Sequence, residues 1–141
     1  MNAKEYLEQA YRLDQRIDSK LMQVSALRSM VEKRASIIRK DPIQHSLNET
    51  LQEDVIIKIV DMERETDAEI DRLVDLKREI SRMIGMIDDP ELQVLLELRY
   101  LNYLKWSEIA DKMHCTDNNI FKMHRRALEK MEEMIGRDEI G

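Results

Sequence analysis

The chain holds two prolines, Pro42 and Pro90, each directly behind an aspartate. Proline disfavours helical geometry in the residue before it, so Asp41-Pro42 ends the helix that precedes it. Asp89-Pro90 both closes a helix and opens the next: Asp89 can cap it, and Pro90 suits its first turn, where a missing N–H is no loss. Ser46 and Glu49 form S-x-x-E, a capping box for a helix that starts after the first break. This punctuation predicts two long helices followed by a shorter C-terminal segment.

The apolar spacing agrees. Ala3, Leu7, Ala10, Asp14, Ile17, Leu21, Val24, Arg28, Val31, Ala35 and Ile38 alternate by three and four. They form a heptad seam interrupted by polar residues that can set its register. Val55, Ile59, Met62, Thr66, Leu73, Leu76, Ile80, Met83 and Ile87 continue a similar seam. Each helix should run roughly 35–40 residues, or about 50–60 Å. A short connection makes the pair antiparallel. Charged residues are 37% of the chain, aromatic residues 4% and glycines only 3, a mixture that suits long helices over sheets. The ten methionines read as packing filler at helical positions.

Charge is unevenly spread. Residues 1–40 carry nine basic and five acidic side chains, whereas residues 41–90 carry six basic and fourteen acidic ones. A basic first helix and an acidic second one favour each other along the flanks of the seam, although each exposed pair adds only a few tenths of a kcal/mol. Seam burial must dominate. A lone two-helix rod buries little for its length, so the hairpin is expected to act as a spacer or to pack on itself as a homodimer or on a partner.

The segment from Leu98 to Leu128 predicts three short helices with helix-turn-helix spacing. Glu108-Ile109-Ala110 lies in the middle helix, where the small Ala110 allows a close crossing. His114-Cys115-Thr116 makes the turn, and the Thr116 hydroxyl is placed to accept from free N–H groups of the next helix. Ile120, Met123, Ala127 and Leu128 give that helix an apolar face. Asn118 and Asn119 offer bidentate amides suited to adenine, and Lys122 reaches guanine or a phosphate. Arg125 and Arg126 suit the backbone. Asp117 suits the positive end of the helix dipole and can accept from cytosine. Phe121 reads either as a thymine-methyl contact or as an interface residue. Trp106 is expected to pin the middle helix onto the Leu95–Leu104 helix, with Tyr100 and Leu104 in the same small core. The net charge of −6 hides a mildly basic recognition segment: residues 105–130 carry six basic and four acidic groups. Affinity for DNA should therefore be modest and salt-sensitive.

No constellation for catalysis stands out. His45, His114 and His124, read as turn, turn and helix, lack neighbours at metal-ligand spacing. Cys115 is alone, which excludes an intramolecular disulfide and fits a reducing cytoplasm. No Gly-rich phosphate loop occurs, no apolar run reaches membrane length, and the first residues lack a signal-peptide core. The expectation is a soluble, cytoplasmic protein without cofactor, metal or enzymatic activity.

The string LLELRYLNYLKWSEIADKMHCTDNNIFKMHRRALEKM resembles region 4 of sigma-70-type factors, with its R-Y helix, its polar-x-E-I-A helix, a turn ending in Thr and a recognition helix closing in A-L-x-K. Together with KEYLEQAYRLDQRIDSKL and IIKIVDMERETDAEIDRLVDLKREI, it is similar to the small sigma region 4-like proteins encoded by phages and prophages of Gram-positive bacteria. The resemblance implies a regulator of phage late genes that binds double-stranded promoter DNA and acts with host RNA polymerase. It carries the contacts onto Asp117, Asn118, Asn119, Phe121, Lys122 and Arg126. Asp117, Asn119 and Phe121 stand where housekeeping sigma factors commonly carry basic side chains, and the hairpin replaces the promoter-melting region. The sequence thus predicts an all-α protein: a long antiparallel, coiled-coil-like hairpin over residues 1–89, a helix-turn-helix over 90–137, and a tail at 138–141. Two other roles fit the same parts, a small terminase subunit that recognises phage DNA for packaging and a polymerase-docking module that reads no DNA.

Overall fold

Apolar residues repeating every three or four positions bury one stripe of a helix, and the long seams do form two long helices. The computed structural model describes residues 1–40 and 45–140, with side chains at 1–37 and 52–137. Helix α1 spans Ala3–Lys40 and α2 His45–Gly85; α3 covers Pro90–Leu96, α4 Trp106–Lys112 and α5 Asp117–Ile140. There is no strand among the described residues, and the fold is all-α. The Asp41-Pro42 break and the side chains of Ile38, Ser46 and Glu49, and with them the capping-box contacts, lie outside what the structure describes. His45 opens α2 rather than sitting in a turn.

The chain gathers into two compact units, one made of Met1–Leu13 with Leu73–Gly141 and the other of Asp14–Arg72. In the first unit, Ala3, Leu7 and Ala10 of α1 and Ile80, Met83 and Ile84 of α2 share a core with Leu92, Leu95, Leu96 and Tyr100. Ile109, Ala110, Ile120, Met123, Ala127 and Met131 complete it. Both ends of the segment read as a hairpin therefore belong with the C-terminal helices. Short amphipathic helices cannot enclose a core alone, and each buried Leu or Ile that joins contributes about 1.5–3 kcal/mol. The backbone N–H of Ala3 donates to the Glu132 carboxylate on α5 at 2.9 Å, which ties down the start of α1. Lys130 pairs with Asp88 at 2.7 Å, and that contact holds the Asp88 carboxyl below its ordinary range.

Asp89 accepts from the Glu91 N–H at 3.0 Å with Pro90 in the first turn, as the spacing predicts. The end of α3 is less regular. Residues Glu97–Leu101 widen into a π-helical turn, with the Asn102 N–H reaching back to the Glu97 carbonyl at 3.0 Å. Such turns are rare and re-aim the side chains they carry. This one carries Arg99 and Tyr100.

In the second unit α1 and α2 run antiparallel, as the ion pairs show. Lys20 reaches Glu69 at 2.6 Å, and Arg28 meets Glu63. Gln52 donates to the Val31 carbonyl at 3.4 Å. As the α1 number rises, the α2 number falls. Ile17, Val24 and Ile59 are buried, and Thr66 is buried with its hydroxyl donating to the Met62 carbonyl at 2.7 Å. Hydrogen bonding and positive charge from Lys20, with Arg16 and Arg72 nearby, hold the Glu69 carboxyl below the usual range. The seam is not apolar throughout: Leu21, expected inside, is exposed, whereas Leu13 of the first unit is buried one position off its expected place. A heptad drifts against the 3.6-residue turn of a straight helix, so a strict repeat cannot hold every member inside over ten turns.

Candidate nucleic-acid interface

Helix α4 ends because its last turn folds back on itself. The His114 N–H donates to the Asp111 carbonyl at 3.3 Å, and the Cys115 N–H to Ala110 at 3.0 Å. This is a Schellman closure, and its αL position is filled by His114 at φ 54° where glycine is usual. Ile109 and Ala110 are buried beneath α5. Both share one core with Ile120 and Met123 of α5.

Thr116 then starts α5. Its hydroxyl oxygen accepts the Asn119 N–H at 3.2 Å, and its carbonyl takes the Ile120 N–H at 3.0 Å. That satisfies one of the orphan donors that every helix start leaves. Ile120, Met123, Ala127 and Met131 line the buried side of α5, at intervals of three and four. Leu128 is half-buried at its edge. The helix does not stop near Leu128. Its apolar face continues through Met131, Met134 and Ile135, and α5 extends to Ile140, taking in residues 138–140.

All eight predicted contact residues, Thr116, Asp117, Asn118, Asn119, Phe121, Lys122, Arg125 and Arg126, are exposed. Helical spacing groups them unequally. Asn118, Lys122 and Arg125 share the outermost line at i, i+4 and i+7, with Phe121 on one flank and Asn119 and Arg126 on the other. Asp117 sits in the first turn, on the Phe121 side. Lys122, Arg125 and Arg126 are exposed, and no ion pair among the described residues engages them.

Behind the Phe121 flank lies an aromatic block that sequence reasoning only partly foresaw. Trp106 packs edge-on against Phe121, centroids 5.7 Å apart, and against His124 at 4.5 Å. Arg99 lies over the Trp106 ring at 4.6 Å and donates to the Leu104 carbonyl at 2.9 Å. Trp106 does pin α4 to the segment before it, through Arg99, but it also braces α5. Phe121 is half-exposed and packs against Trp106. His124 was unassigned from sequence. It bonds the Tyr100 hydroxyl at 2.6 Å, and burial depresses it from 6.5 to about 4. The same burial raises the Tyr100 phenol to about 12. Both groups are therefore neutral near pH 7, and the pair braces the back of α5 without adding charge to its outer face.

Cys115 is half-buried, and its thiol contacts the Met113 carbonyl at 3.3 Å. Among the described residues no group of three His, Cys, Asp or Glu side chains could hold a metal ion, and no helix is long and apolar enough to cross a membrane.

No curated protein and no solved structure matches the chain. One family model does, over residues 35–132, a span that runs from the end of α1 through α2 and both helices of the helix-turn-helix into α5. That span covers more than half of the sequence and contains all of α2, α3 and α4 with the first part of α5; on it the chain belongs to the DUF1492 family, described as proteins of unknown function.

Proposed function

We propose that this protein is a sequence-specific DNA-binding regulator of phage late-gene transcription. It is a small sigma region 4-like factor that works in the host cytoplasm with host RNA polymerase, as a homodimer through the hairpin. The observation that carries the reading is the outer face of α5. A capped helix start leads into Asn118, Lys122 and Arg125 on one exposed line, with their hydrogen-bonding groups turned away from the core. A helix of this kind fits the major groove, where amides and cations read base edges. The resemblance to sigma region 4 supports the same assignment. Asn118, Asn119 and Lys122 are the candidate base-reading residues. Arg125 and Arg126 hold phosphates, Phe121 offers an apolar surface to a thymine methyl, and Thr116 and Asp117 shape the helix start.

The test is a selection of fragments from the phage genome by the full chain, with and without host RNA polymerase, at two salt concentrations. Enrichment of a site upstream of late genes is the expected result. Enrichment of the packaging region instead overturns regulation in favour of a terminase role. Polymerase binding with no DNA selected in any condition overturns DNA reading altogether.

A further inference from the structure

Among the described side chains of the second unit, more large hydrophobic residues are exposed than buried. Among those described, Ile17, Val24 and Ile59 are the buried ones, whereas Leu21, Met22, Met30, Ile37, Ile56, Ile57, Val60 and Ile70 are exposed. The exposed set is not scattered evenly. Arg28 meets Glu63 across one side of the hairpin. Leu21 lies one heptad before Arg28, and Ile56 and Ile70 lie one heptad on either side of Glu63. Residues a heptad apart share a helix face, so Leu21, Ile56 and Ile70 line the same side as that ion pair, with Val60 one turn from Ile56. These four hydrophobes are each between 37% and 47% exposed. The opposite side is different in kind: there Arg16 and Lys20 are paired with Glu69, and Lys20 with Glu65.

We infer that the Leu21–Ile56–Val60–Ile70 side of the hairpin receives a second copy of this chain, with α1 of one copy lying against α2 of the other. This deepens the homodimer proposed above and does not depend on DNA reading. Charge selects the occupant. Within residues 14–40 there are seven basic and three acidic side chains, and within 45–72 three basic and nine acidic ones. A two-fold axis along the hairpin alternates basic and acidic helices around a four-helix bundle, each neighbour antiparallel. It sets Arg28 of one copy beside Glu63 of the other and repeats between copies the pairing seen within one. The reverse arrangement, α1 on α1, juxtaposes like charges. Partial exposure also fits: these residues rim the seam already formed, so a second hairpin closes over them and thickens a core in which, among the described residues, Ile17, Val24 and Ile59 are the buried hydrophobes.

Sedimentation equilibrium of the full chain tests the face. The wild type is expected to form a dimer, and Ile56→Asp combined with Val60→Asp to weaken it at least about tenfold with helicity by circular dichroism retained. Met22→Lys, on the outer side of α1, is expected to leave it unchanged. The pairing is read by mixing Leu21→Cys chains with Ile70→Cys chains, both in a Cys115→Ala background. Cross-links between unlike chains are expected to outpace those between like chains. A monomeric wild type overturns the dimer itself. A dimer indifferent to the Ile56 and Val60 changes, or weakened equally by Met22→Lys, overturns the face alone, and dominance of like-chain cross-links overturns the α1-on-α2 arrangement.

Discussion

The Tyr100 hydroxyl and the His124 imidazole lie 2.6 Å apart, linking the π-helical turn before the helix-turn-helix to the back of its second helix. Both are neutral in the folded chain, because burial disfavours the charged form of each. The pair acts as a polar strut within an otherwise apolar contact, and it couples the set of α5 to pH.

His124 binds its proton more weakly folded than unfolded, with its pKa lowered from 6.5 to about 4. The unfolded chain therefore takes up more protons between those values, and stability is full above pH 6.5 and declines as pH falls toward 4. Glu69 and Asp88, whose carboxyls are held below 4.5 and 3.8, begin to matter only at the acid end of that range. Thermal melts at pH 7.5 and pH 5.5 should show the wild type losing more melting temperature than His124→Gln, which keeps a polar contact but does not titrate. Equal losses would remove His124 as the source.

Thr116→Val should cost about 1 kcal/mol, because the branched side chain keeps its volume but not the oxygen that accepts the Asn119 N–H. Thr116→Ser should retain most of the wild-type stability. Urea unfolding midpoints at constant m-value measure both.

His114 occupies the left-handed region at φ 54°. A β-branched replacement suffers most there, and His114→Val should destabilise by about 1–2 kcal/mol. His114→Gly should be neutral or slightly stabilising, since relief of the Cβ clash offsets the added freedom of the unfolded chain. Chemical denaturation of the two variants side by side gives the comparison, and a stabilised Val variant would contradict the strained closure.

Lys122→Ala and Asn119→Ala should each relax sequence preference, a lost base contact being worth about 1–3 kcal/mol against the wrong base. Arg126→Ala should weaken specific and random DNA alike and flatten the salt dependence by about one ion. Binding isotherms on a selected site and on a scrambled one, at several salt concentrations, separate the two behaviours.

Much of the candidate interface was legible because local chemistry decides it. The Thr116 cap, the Asp89 cap with Pro90 behind it, the buried Ile109–Ala110 crossing and the Ile120–Met123–Ala127 stripe all depend on residues within a turn or two of each other. The Tyr100–His124 strut was not legible. It joins positions 24 apart, and the π-helical turn that aims Tyr100 leaves no mark in an ordinary three-four pattern. The continuation of α5 through residues 138–140, expected as a tail, has a related reason: Met131 and Met134 extend the stripe, and the core they join carries the helix past it.

The sequence by itself determined helix: its breaks, caps, heptad seams and the polarity of each face follow from backbone chemistry and spacing that no distant contact need supply. Tertiary structure decided what those faces meet. Ala3, Leu7 and Ala10 read as the start of a hairpin seam, yet they are buried in the core formed with Leu92, Tyr100 and Met131, while Leu21 of the same seam stays exposed. The physical reason is that an apolar stripe specifies only that it must be covered. The hydrophobic effect has no direction, so the partner is chosen by which surfaces the folded chain brings within reach.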